Sequence, residues 1–136
     1  MRHIIWDLDG TLVNSLRVTL DALQYTLKLG TGIDFTHADI SAHFGKPEDG
    51  ILHAMLKNNF SENKIHDIWQ HYLEVHRSYL NRIKPFPGIQ NLLIDLKSKG
   101  FKFSLYTGRG RPSTENMLIG LGLSDFFEVI VTGSDV

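Results

Sequence analysis

The chain has no cysteine among its 136 residues. Disulfide scaffolds, thiol catalysis and cysteine-ligated metals are therefore excluded. Charge of one sign is also missing. Fourteen Lys and Arg stand against fifteen Asp and Glu, a formal net charge of -1, so neither a nucleic acid nor a membrane surface is an expected partner. The balance holds locally too, with seven basic and eight acidic residues over 15–82 and seven of each elsewhere. No apolar run approaches the roughly 20 residues that span a bilayer. The opening MRHIIWDLDG breaks its apolar stretch at Asp7, so it does not read as a signal peptide, and a cytoplasmic location is expected. Repeats and low-complexity tracts are absent as well.

What is present reads as an alternating pattern with an insertion. HIIWDL at 3–8 is a short run of bulky β-formers, expected to be a buried strand, and Gly10, Thr11 and Asn14 end it in a turn. From Ser15 the period becomes helical, with Leu16, Leu20, Leu23 and Leu27 on one stripe, Ser15 as N-cap and Gly30 as stop. Thr36 and Asp39 are in capping-box register for a second helix, and Pro47 is suited to open a third running to about Lys57. Ser61 caps a fourth, whose stripe is Ile65, Ile68, Trp69, Tyr72, His76, Tyr79 and Ile83, ended by Pro85. Then a helix with Ile89, Leu92, Leu93 and Leu96 inward, the strand FKFSLYT at 101–107, a helix over 112–121 and a strand over 129–132 follow in turn. Alternation of this kind predicts parallel βαβ units. The expected fold is α/β, a Rossmann-like parallel-sheet core from residues 1–14 and 84–136, with a helical cap, residues 15–83, inserted after the first strand.

The chemistry sits at two strand ends. Asp7 and Asp9 are two apart on extended chain, so their side chains point to the same side, and open α/β sheets bind ligands outside the carboxyl ends of their strands. Two close carboxylates repel, and either a divalent cation or a shared proton relieves them. Gly10 permits a tight turn and Thr11 adds a hydroxyl. Thr107 and Gly108 end the FKFSLY strand in the same manner. Structural readings exist for each of these: an αL-tolerant turn for Asp-Leu-Asp-Gly, and an ordinary strand end for Thr107-Gly108. Lys46, in the loop after Gly45, either faces the site or is solvated. The seven histidines (3, 37, 43, 53, 66, 71 and 76) contain no i,i+3 or i,i+4 pair and read as packing or surface residues, and the Trp69, Tyr72, Tyr79 stripe reads as helix core.

Asp7 to Thr11, behind an apolar strand, resembles the first motif of the haloacid dehalogenase (HAD)-like superfamily of phosphohydrolases. Tyr106-Thr107-Gly108 resembles the second. PFPGIQNLLIDLKSKG at 85–100 and the helical insertion resemble the branch of phosphoglycolate phosphatase and β-phosphoglucomutase. The resemblance implies a Mg²⁺-dependent phosphatase acting on a small phosphorylated metabolite. Asp7 would be the nucleophile that forms an aspartyl-phosphate, and Asp9 the general acid/base. The Asp7 carboxylate and the Asp9 backbone carbonyl would hold Mg²⁺, and Thr107, Gly108, Gly10 and Thr11 would line the phosphate site. Dehalogenase members lack the second aspartate, so Asp9 favours phosphoryl chemistry.

Two further motifs of the superfamily, a Lys or Arg and an acidic pair, are expected after the strand at 129–132. Only Gly133-Ser134-Asp135-Val136 stands there, and Asp135 is not in the position of that pair. Arg109 and Arg111 follow Thr107 closely, and Arg109 is a candidate to supply the positive charge. A truncated or degenerate member that binds phosphate esters without turning them over is the alternative expectation, and a sugar phosphomutase a lesser one. In the superfamily the first strand is central, so its edge here is expected to be covered, by another protomer in a homo-oligomer or by further chain.

Overall fold

The computed structural model describes residues 2–136. The first apolar run forms β1 (Arg2–Trp6), which ends two residues short of the predicted span. The reason is local. The Leu8 carbonyl accepts hydrogen bonds from the amides of Thr11, Leu12 and Val13, which winds residues 8–13 into a tight turn, with Gly10 at φ 78°. A two-residue strand, β2 (Val13–Asn14), then pairs antiparallel with β3 (Lys84–Pro85). This ribbon clasps the two ends of the helical insertion.

Four helices lie between the two strands of the ribbon: α1 (Leu16–Thr31), α2 (His37–Ser41), α3 (Glu48–Leu56) and α4 (Glu62–Ser78). The predicted capping box forms at Thr36 and Asp39, and the Ser61 hydroxyl accepts the Lys64 amide. Two expectations shift. Helix α1 runs past Gly30 and ends on Gly32 at φ 75°. Gly30 has another reason to be small, since a Cβ there would lie 2.5 Å from Ile68 Cγ1 where α1 packs on α4. Helix α4 stops at Ser78, so Ile83 lies beyond it, past a 3-10 turn at Leu80–Arg82.

After β3 come α5 (Ile89–Ser98), β4 (Phe101–Tyr106), α6 (Arg111–Gly120) and β5 (Phe127–Val131). β1, β4 and β5 form a parallel sheet in the order β1-β4-β5, with Ile4 opposite Phe103 and Leu105 opposite Ile130. The chain is thus mixed α/β with a parallel sheet, as the alternation predicts. Two apolar cores fill it. One gathers residues of the sheet, α5 and α6, including Leu8, Leu93, Phe103, Leu105 and Met117. The other gathers the faces of α1 to α4, including Leu23, Ile40, Leu52, Ile68 and Tyr72. Leu16 and Leu92, expected on inward stripes, are both more than 40% exposed. Among the described residues β1 is an edge strand, and no helix is long and apolar enough to cross a membrane.

Candidate active site

The turn after β1, the loop after β4 and the loop before α3 meet at one cavity of about 290 Å³. Asp7, Asp9, Lys46, Thr107, Gly108 and Arg109 all line it; Gly10 and Thr11 do not, and act by shaping the turn. Leu16, Phe44 and Ile51 from the helical lobe supply an apolar wall. The loops approach closely because they carry glycine. Gly133 donates its amide to the Arg109 carbonyl at 2.8 Å, and a Cβ on Gly133 would lie 2.2 Å from the Gly108 carbonyl oxygen. The chain after β5 thereby braces the loop after β4.

The two aspartates differ sharply. Asp7 is exposed, and its Oδ1 accepts the amide of Leu8 at 2.8 Å. Asp9 is half-buried. Its Oδ1 accepts Arg109 Nη2 at 2.8 Å and the Ser15 hydroxyl, and its Oδ2 accepts Arg109 Nε at 3.1 Å. Ser15 therefore stands at the start of α1 with its hydroxyl turned to Asp9, not to the helix amides as predicted. Burial opposes the charge of Asp9, but the Arg109 guanidinium and its hydrogen bonds outweigh that and hold the carboxyl below its ordinary range. The backbone carbonyl of Asp9 accepts no hydrogen bond among the described residues.

Arg109 comes to the site with its charge already compensated. Its side chain is 4% exposed, and Nη1 bonds Glu48 Oε1 at 2.9 Å while Nη2 also reaches Thr19 Oγ1 at 2.6 Å. Burial works against the guanidinium, and Asp9 and then Glu48 more than offset it, so its pKa lies above the ordinary value. A fork with two carboxylates is not a spare cation for a phosphate, which is the part the sequence suggested for it. Arg111 is likewise occupied, by Glu115 at 3.2 Å and Asp135 at 2.5 Å. Asp135 also accepts the amide and hydroxyl of Thr132.

Sequence reasoning missed several members of this network: Glu48, Thr19, Ser113 and, in its role here, His76. The Glu48 carboxylate accepts from Arg109, Ser113, Gly110 and Tyr72. His76 is fully buried, its Nε2 lies 3.2 Å from Arg109 Nη1, and its Nδ1 has no partner among the described residues. Burial, then the Arg109 charge, pushes its pKa down to about 3, so it is neutral with Nε2 as the acceptor. Burial and the Glu48 charge raise the Tyr72 hydroxyl well above its usual value. Only His76 left a sequence signal, a polar residue on the apolar stripe of α4. Thr107 is buried, and its hydroxyl accepts the Arg109 amide at 3.2 Å. Among the described residues no three or more His, Cys, Asp or Glu cluster as a metal-binding set.

Comparison with known proteins agrees with this architecture. The chain is 36% identical to a phosphoglycolate phosphatase of Aquifex aeolicus over 134 residues, 98% of this chain and 61% of that protein. It is 25% identical to a pyrophosphatase, PpaX, of Bacillus cereus over 134 residues, 98% of this chain and 60% of the relative. The crystal structure of CbbY from Rhodobacter sphaeroides in complex with phosphate superposes on all of this chain and 65% of its own, with a TM-score of 0.80 and 20% identity, a likeness of fold. The chain thus spans about three fifths of the length of the curated relatives it matches. The model of the haloacid dehalogenase-like hydrolases matches residues 4–136, and the chain belongs to that family.

Proposed function

We propose that the cavity is the active site of a Mg²⁺-dependent phosphohydrolase acting on a small phosphorylated metabolite. The observation that carries the reading is the meeting of Asp7, Asp9, Lys46, Thr107 and Gly108 around one cavity. In this reading Asp7, exposed and free of any ion pair among the described residues, attacks phosphorus and forms an aspartyl-phosphate. Asp9 protonates the leaving oxygen and then takes a proton from the water that attacks the intermediate. Thr107 and the Gly108 amide bind phosphoryl oxygens as charge develops on them.

The donors suit Mg²⁺. Asp7 offers a carboxylate, and Asp9 offers a backbone carbonyl with no hydrogen bond on it among the described residues, while the Asp9 side chain is taken by Arg109 and Ser15. Bound there, the ion would offset the repulsion between carboxylate and phosphate. Residues 15–83 would act as the cap, whose apolar wall and Lys46 select the substrate. The two curated relatives are named a phosphoglycolate phosphatase and a pyrophosphatase, and in this chain Lys46 would meet the part of a phosphorylated substrate beyond the scissile phosphate.

The test is turnover of p-nitrophenyl phosphate with and without Mg²⁺. Mg²⁺-dependent release of p-nitrophenol supports the reading, and none at millimolar ester counts against it. We further propose that the edge of β1 is covered, by a second protomer or by further chain. Light scattering that shows a stable, soluble monomer of these 136 residues would contradict this.

A further inference from the structure

One buried charge has no part in the chemistry above. Glu48 is 3% exposed, on the first turn of α3, and an interior carboxylate needs several strong partners to be tolerated. Three of its four come from the α/β part. Oε1 accepts Arg109 Nη1 at 2.9 Å and the Ser113 hydroxyl, Oε2 accepts the Gly110 amide at 2.8 Å, and Tyr72 on α4 adds a longer bond at 3.4 Å. The negative side chain also faces the amino-terminal end of α6, where helix dipoles favour it. A residue of the helical lobe is therefore fastened to the loop after β4.

The same arginine holds Asp9. Its Nε and Nη2 edge faces the Asp9 carboxylate while its Nη1 faces Glu48, and Thr19 from α1 and His76 from α4 bound it laterally. A planar fork bonded at both edges cannot turn about its last torsions without breaking one set. Glu48 has no hydrogen bond to Asp9 and reaches it through Arg109.

We propose that Glu48 is a positioning residue: through Arg109 it fixes the orientation of the Asp9 carboxylate and ties that orientation to the seating of the first turn of α3 at the amino-terminal end of α6. The proposal rests on the reading of Asp9 as the acid/base. It gives the helical lobe a second task besides enclosing the substrate, since a lobe that lifts from α6 would release the arginine and with it the acid/base. A displacement of about 1 Å at a reacting group is enough to lose two orders of magnitude in rate.

The experiment compares the wild-type chain with Glu48→Gln and Glu48→Asp on two esters. An alkyl phosphate needs its leaving oxygen protonated, and p-nitrophenyl phosphate needs this far less. With Glu48→Gln we expect kcat/KM for the alkyl ester, which reads the first step and its leaving-group protonation, to fall by about 10 to 100-fold, inside the range general acids contribute. For the aryl ester kcat/KM should fall by less than about threefold. Glu48→Asp, which keeps the charge with a shorter reach, should recover part of the loss; it also serves if Glu48→Gln does not fold. Equal losses in kcat/KM on both esters would overturn the proposal, because a merely structural role lowers both alike. A second readout is independent of turnover. The Arg109 Nε–H proton should give a protected NMR signal in the wild type that is lost or shifted in both Asp9→Asn and Glu48→Gln. A signal unmoved in Glu48→Gln would overturn the tether even if the chain hydrolyses neither ester, whereas absent turnover with the signal behaving as expected would count against the phosphatase reading alone.

Discussion

Asp7 and Asp9 are the same chemical group two residues apart in one turn, and they meet opposite surroundings. Asp7 is open to solvent and bonded only to the neighbouring Leu8 amide among the described residues. Asp9 is half-buried, bonded to Ser15 and clamped by an arginine 100 positions later in the chain. The difference arises from the helical lobe and the loop after β4, not from the turn itself. It assigns the roles in the reading above: a nucleophile must be free to reach its target, and an acid/base must be held in place. The arginine that holds Asp9 is itself held by Glu48, so the asymmetry depends on the first turn of α3 staying at the start of α6.

Removing the free member of the pair should have the largest effect. Asp7→Asn is expected to lower turnover of p-nitrophenyl phosphate by more than about a thousandfold. Its melting temperature should be nearly unchanged, because Asp7 supports little of the fold. Removing the clamp should damage stability instead. Arg109→Met leaves the carboxylates of Asp9 and Glu48 without their cation, and we expect a loss of about 3–5 kcal/mol in urea unfolding.

The clamp also predicts an acid sensitivity. His76 has a folded pKa of about 3 against an ordinary value of 6.5, so the unfolded chain takes up a proton first. The stability that this histidine contributes is complete above pH 6.5 and is lost as pH falls toward 3, with a slope of about 1.4 kcal/mol per pH unit. His76→Gln keeps an acceptor for Arg109 but cannot take a proton. Its urea midpoint should therefore fall less between pH 6.5 and pH 4.5 than that of the wild type. A last effect concerns the brace behind the clamp. Gly133→Ala forces a Cβ against the Gly108 backbone carbonyl, which cannot turn aside as a side chain does, and should cost at least about 1–3 kcal/mol, read in thermal melts, with both aspartates intact.

Much of this was legible in the sequence where the signal is local. The alternation of strand and helix after residue 84, the capping box of Thr36 and Asp39, and the Ser61 cap all depend on residues within a few positions of each other. The β2–β3 ribbon was not legible, because two-residue strands carry no periodicity and their partners, Val13 with Pro85 and Asn14 with Lys84, are far apart in sequence. The same limit applies to the site. Asp7, Asp9, Thr107 and Gly108 announce themselves by motif and strand end. Glu48 after Pro47 reads as an ordinary acidic residue in a first helical turn, and only the approach of the start of α3 to Gly110, at the start of α6, turns it inward. Arg109 is visible in the sequence as a charge just after the Thr107-Gly108 strand end, but its direction is not. His76 sat on a core stripe and was read as packing, whereas burial beside an arginine makes it a neutral acceptor.

The most direct test of the asymmetry is to find which aspartate carries phosphate. The chain is mixed with p-nitrophenyl phosphate and Mg²⁺, quenched in acid and treated with borohydride, which reduces an aspartyl-phosphate to homoserine. Mass spectrometry of the peptide holding residues 7–9 then locates the change. We predict homoserine at position 7 and an intact Asp9. Reduction at position 9, or at neither position in a chain that turns over the ester, would contradict the account.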